Sequence, residues 1–170
     1  DTNPKLLFTM NLISLFIHFS NFLGLLILLL VNDDEFRTTK MPVIRILSKE
    51  VGNNIELSLD EIFDFRISIL NIAYFFFASF SHLFILLNWQ KWIKNEKNNY
   101  NYHRWIEYSI TSTIMIVIIS YYAHIYDLNT LIVLVCLNVS MILTGYLMEV
   151  AHHVNDTMRY FWFGCLLGTV

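Results

Sequence analysis

The 170-residue chain is 56% hydrophobic and 15% charged, with a formal net charge of −3 at pH 7. Its charges gather between long uncharged stretches, which excludes a soluble globular enzyme and leaves no basic surface for nucleic acid. An all-α, polytopic transmembrane bundle whose first partner is membrane lipid fits that distribution.

A span needs roughly 20 mostly apolar residues to cross about 30 Å of hydrocarbon. Four segments qualify, at about 6–31, 67–89, 105–125 and 128–150, and a fifth starts near 160 and runs to 170. That fifth segment reaches only partway across, so the chain reads as the N-terminal part of a longer bundle. The first span has no small-residue cleavage site after it and is not a signal peptide. The connection 32–66 is too long for a simple loop. Alternation in Met41–Leu47 and Asn54–Leu59, around Gly52-Asn53, predicts a β-hairpin that packs on the bundle or pairs with a neighbouring subunit. Lys5, Lys91, Lys94, Lys97, Arg104 and Arg159 fall on the N-terminal side of the membrane, whereas the 32–66 loop mixes its bases with acids. Basic short loops stay inside, so the N-terminus is expected in the cytoplasm and the hairpin outside. Trp89, Trp92, Tyr100, Tyr102 and Trp105 read as an interfacial aromatic belt.

An ionisable side chain at bilayer depth costs about 2.5–3.5 kcal/mol on insertion scales and is a functional candidate by default. His18, His82 and Glu107 are the three candidates. On the first span Asn11, Ser14, His18 and Asn21 share one face; on the second, Asn71, Ala78 and His82 do; on the fourth, Asn138, Met141, Gly145 and Glu149 do. Polar residues of this kind serve either as helix-joining contacts, at about 0.6 kcal/mol each, or as a functional interior. A carboxyl at position 107 must hold a proton or keep its charge beside a fixed cation. Arg104, one turn earlier, is either that cation or a border residue that snorkels to the headgroups. Glu149, beside His152 and His153, reads as a solvated border. Cys136 and Cys165 read as packed thiols. No phosphate loop, zinc motif or nucleophile elbow is present, so neither enzymatic activity nor a metal site is expected.

The string Arg104-Trp105-Ile106-Glu107-Tyr108-Ser109-Ile110-Thr111-Ser112, with Met115 beyond it, resembles the third-helix signature of the heliorhodopsins. His18 and His82 resemble that family's intramembrane histidines. The spacing of Asn138, Met141, Gly145, Met148 and Glu149 resembles its fourth helix, and Phe163-Gly164 with Gly168 its fifth. The resemblance implies a seven-helix, rhodopsin-like photoreceptor with all-trans-retinal as cofactor, a cytoplasmic N-terminus and a dimer that involves the first extracellular loop. It implies Glu107 as counterion to a protonated retinal Schiff base, and His18 and His82 as a proton-accepting cluster, a task that suits imidazole. Tyr108, Ser112, Met115, Asn138, Met141, Gly145 and Trp162 become candidates for the retinal pocket. The lysine that carries retinal is expected beyond Val170. Two other functions fit the same residues: a light-driven or light-gated proton or ion transporter, and a non-photochemical membrane scaffold or transporter.

Overall fold

A computed structural model of the chain describes residues 3–31, 39–51, 54–97, 101–151 and 157–169. Gly52 and Asn53 of the expected turn, Tyr100, His152 and His153 lie outside the described residues. Six helices and one two-stranded sheet are found among those described: α1 (Pro4–Val31), β1 (Lys40–Val51), β2 (Asn54–Arg66), α2 (Ile67–Leu87), α3 (Trp89–Lys97), α4 (Tyr102–Tyr122), α5 (Leu128–Ala151) and α6 (Thr157–Thr169).

The long helices pack in chain order, each antiparallel to the last. Phe8 meets Trp89 just past α2, and Phe22 meets Phe76 within it. Phe84 on α2 stacks on His103 at the start of α4, Arg104 on α4 reaches Glu149 near the end of α5, and a Cβ on Gly164 of α6 would touch Thr144 of α5. One end of the bundle thus collects Lys5, Lys91, Lys94, Arg104 and Arg159; we call it the basic end, and the other the hairpin end.

By length and composition α1, α2 and α5 are apolar enough to cross a membrane. The third expected span, α4, carries Arg104, Glu107 and a run of Ser and Thr, which dilutes its apolar character. Its 21 residues match α2 in length and reach about 31 Å, and it packs between α2 and α5. Large apolar side chains left open on α1, such as Phe16 and Leu30, form a surface suited to lipid.

Helix boundaries follow their caps. Asn3 accepts from Lys5 N ahead of Pro4, the favoured order for a helix start. Asn101 accepts from Arg104 N, so α4 starts three residues before the expected 105. It ends three residues before 125, where Ala123 and His124 turn the chain, His124 at φ 58°. Asp127 then caps α5 by accepting from Thr130 N and Oγ1 at 2.9 Å. Asn88 closes α2 and leads into α3, a short helix where a plain loop was expected. On α3 the apolar Trp89, Trp92 and Ile93 occupy one side and Lys91 and Lys94 another, the pattern of a helix lying in the membrane interface.

The hairpin is longer than alternation alone predicted, pairing Lys40 with Arg66 through to Val51 with Asn54. A bulge leaves Ile62 between the Val43/Phe63 and Ile44/Glu61 pairs, which bends and twists the ladder. Its base packs on the bundle. Met41 and Val43, both fully buried, close on Ile67 and Leu131, with Phe65, Val117 and Tyr126 around them. Ile44 N donates to Tyr126 O at 2.9 Å, so the α4–α5 turn adds a short parallel bridge beside β1. At the surface Lys40 bonds Asp64 at 2.7 Å and holds that carboxyl below its usual range, while Glu61, hydrogen-bonded to Asp64, is pushed up.

Truncating Met41 to alanine removes a buried side chain from this junction and is expected to cost about 2–5 kcal/mol. Thermal unfolding of the purified protein in detergent checks it. A midpoint equal to wild type would mean the hairpin does not depend on the bundle.

Candidate functional site

Most hydroxyls and amides inside the helices satisfy themselves on their own backbone. Thr9, Asn21, Ser109, Thr111, Thr113, Ser120 and Ser140 each donate to the carbonyl four residues earlier. Of these groups only Thr113 also reaches a neighbouring helix, at 3.5 Å from Asn138, so the helix-joining reading fits a minority of such residues. Two polar contacts that do cross between helices mark the candidate site.

The first lies between α1 and α2. His18 and His82 stack face to face, centroids 5.5 Å apart and planes 8° from parallel. His82 Nδ1 sits 3.0 Å from Asn11 Oδ1, an acceptor, so Nδ1 carries the proton in this pairing. His18 Nδ1 is buried and has no partner among the described residues. The face of α1 predicted from Asn11, Ser14, His18 and Asn21 therefore divides: Asn11 and His18 meet α2, while Asn21 turns back to Ile17 O.

The second crosses from α4 to α5. Asn138 Nδ2 donates to Ser112 Oγ at 2.9 Å, and Ser112 in turn donates to Tyr108 O. Asn138 is buried at 9% exposure, and the more distant Thr113 Oγ1 lies at 3.5 Å. Met115, one turn beyond Ser112, is open, as are Tyr108 and, on α6, Trp162. Met141 approaches Gly168 of α6. Gly145 lies under the Trp105 ring, where a Cβ would come within 2.5 Å of two ring carbons.

Glu107 sits between these two contacts, partly buried on α4 facing α2. It borders a cleft of about 180 Å³ with Phe77, Phe80, Ser81, His103, Ile106, Ile110 and Thr111. The buried Ser81 hydroxyl is near enough to act on the carboxyl, yet makes no hydrogen bond of ordinary geometry. No cation lies within ion-pair reach of Glu107 among the described residues. Arg104, the cation suggested by sequence, is 2.8 Å from Glu149 Oε2 instead.

Glu149 corrects a second expectation. It is no solvated border: its side chain is 11% exposed and accepts from Arg104, from Trp105 Nε1 and from the Asn101 backbone N–H. His103, Ser81 and Thr111 were missed as neighbours of Glu107. Position supplied a signal for two of them: His103 and Thr111 lie four residues to either side of Glu107, on the same helix face. Among the described residues no group of three His, Cys, Asp or Glu side chains is placed to hold a metal.

An acid between aromatic and aliphatic walls, with no cation assigned to it, suits a ligand that is mostly apolar and carries one positive charge. The heliorhodopsin family model matches residues 7–170. No curated protein matches the chain.

Proposed function

The chain belongs to the heliorhodopsin family, integral membrane proteins that bind retinal and sense light, and from that premise we propose that Glu107 is the counterion of the chromophore. One observation supports this most directly: among the described residues Glu107 has no cation beside it, because Arg104 is held by Glu149. Retinal, bound to a lysine as a protonated Schiff base, supplies visible absorption and a light-driven isomerisation. This chain's residues do the rest. Glu107 offers a fixed negative charge in a site of low dielectric, where it acts far more strongly than in water. Phe77, Phe80, Ile106 and Ile110 exclude water around it.

His18 and His82 form the proton-accepting cluster in this reading. Their rings are stacked, and the Asn11 acceptor favours the proton on Nδ1 of His82. Tyr108, Ser112, Met115, Asn138, Met141, Gly145 and Trp162 are proposed as pocket wall, and the Ser112–Asn138 bond supports the polar part of it. The extended all-trans isomer is the proposed form. The N-terminus is cytoplasmic on the strength of the basic end. A homodimer is proposed through the outer half of the hairpin, where Ile46, Leu57 and Leu59 present an uncovered apolar stripe.

The full-length protein mixed with all-trans-retinal is expected to develop a visible absorption band. His82→Phe keeps the ring stack and removes the acceptor nitrogen. It is expected to retain the band and to lose or slow the proton-transfer phase in flash photolysis. A variant with unchanged photocycle kinetics would remove the histidines from the mechanism, and no band in folded wild-type protein would remove the chromophore itself.

A further inference from the structure

At the basic end, away from Glu107's carboxyl, the start of α3, the end of α2 and the start of α4 enclose a second cavity. Its volume is about 50 Å³, several times the roughly 10–15 Å³ that one water needs on that measure. Trp92, His103, Lys91, Asn88 and Asn95 are among its lining, and no acidic side chain is found there among the described residues. Two buried nitrogens in this lining, Trp92 Nε1 and His103 Nδ1, have no hydrogen-bond partner among the described residues. Neither ring is free to turn away. Trp92 stacks on Trp89 with centroids 5.2 Å apart, and His103 stacks on Phe84 at 4.7 Å and 8°. Trp89 is itself pinned edge-on by Phe8 of α1.

An indole N–H can only donate, so whatever satisfies Trp92 must be an acceptor. His103 Nδ1 can present a donor as well, and Lys91 adds a positive charge at the rim. An unpartnered indole donor and an unpartnered imidazole nitrogen, beside a cation and in a space larger than one water, fit a small oxyanion. Glu149, the acid tied to Asn101, does not oppose an anion here because Arg104 neutralises it. The surroundings indicate where such an anion comes from. Trp89, Trp92 and Lys94 on α3 belong to an interfacial helix, and phosphates of anionic lipids lie at that depth.

We propose that the cavity between α2, α3 and the start of α4 binds a phosphate group, held by Trp92 Nε1–H, His103 and Lys91 and presented by an anionic lipid headgroup or by free phosphate. The ligand fastens α3 to the bundle, because its contacts come from α3 and from the start of α4 at once.

The full-length protein is reconstituted in nanodiscs of phosphatidylcholine with or without phosphatidylglycerol, and lipid retained after extraction is counted by native mass spectrometry. Trp92→Phe keeps the stack on Trp89 and deletes one charge-assisted donor; Lys91→Gln deletes the rim charge; Lys94→Gln is the control on the same helix but outside the cavity. Wild type and Lys94→Gln are expected to retain phosphatidylglycerol, and Trp92→Phe and Lys91→Gln to lose about tenfold in retention. In a second arm, inorganic phosphate is titrated against protein in pure phosphatidylcholine discs while the thermal midpoint is read. A rise in midpoint that Trp92→Phe abolishes assigns the site to free phosphate. Equal phosphatidylglycerol retention in wild type and Trp92→Phe, with no phosphate effect on the midpoint, overturns the proposal.

Discussion

Replacing Glu107 with glutamine in the full-length, retinal-loaded protein is expected to shift or abolish the visible absorption band. The change keeps the size and shape of the side chain and deletes its charge. A carboxylate within ion-pair reach contributes about 4 kcal/mol at the effective dielectric of a protein site. That is about a thousandfold in the proton equilibrium of the cation it faces. Nothing in the described surroundings takes over that role. Ser81 and Thr111 are neutral, and the Asp and Glu side chains of the hairpin lie at the far end of the bundle. An absorption spectrum at neutral pH, with and without the substitution, is sufficient to check it. An unchanged band in Glu107→Gln would place the counterion elsewhere and leave Glu107 as a buried acid of the α2–α4 interface.

Truncating Glu149 to alanine is expected to destabilise the protein by about 2–5 kcal/mol, the cost of leaving two buried N–H donors without an acceptor. Those donors are the Trp105 indole and the Asn101 backbone. Arg104 loses less, since its side chain is 39% exposed and can turn to water or headgroups. Glu149→Gln keeps an acceptor oxygen and is expected to recover part of the loss. Thermal unfolding of the three proteins, in one detergent, separates these cases. A midpoint for Glu149→Ala equal to wild type would show that water replaces the carboxylate without penalty.

Lipid-scale hydrophobic lengths made α1, α2 and α5 legible, because a bilayer sets the length that a span needs. Boundaries were less legible. The start of α4 depends on a cap by Asn101, four residues ahead of the hydrophobic run, and its end on a left-handed His124 that no composition signals. The helix α3 was hidden because nine residues with three lysines read as loop until their apolar side is placed in an interface. The hairpin was found but cut short: its outer pairs mix charges and apolar residues, and the bulge at Ile62 breaks the period-two pattern between Leu59 and Phe65.

Within the candidate site, the histidine pair was legible from helical spacing on α1, since a polar stripe on an apolar helix must face a neighbour. The Ser112–Asn138 contact was not, because it joins residues 26 apart in two helices and only the likeness to a known family placed both in one pocket. Glu149 was misread for the same reason. Its position at a helix end suggested water, and the three donors that enclose it come from a segment about 45 residues earlier. Periodicity tells which face of a helix is polar, and says nothing of which distant face it meets.

The bridge between Ile44 and the α4–α5 turn sets an order of events during synthesis. β1 is made early, but Tyr126 and Leu131, against which its base docks, are translated on the order of eighty residues later. At about 5–20 residues per second the hairpin waits on the order of ten seconds outside the membrane before its platform exists. For that interval Met41 and Val43 are open to any sticky surface. The nascent chain should therefore be most vulnerable to misassembly after the second span has inserted and before the fourth has. Ribosome-stalled intermediates would show it as protease-sensitive hairpin that becomes protected only once α5 is in place.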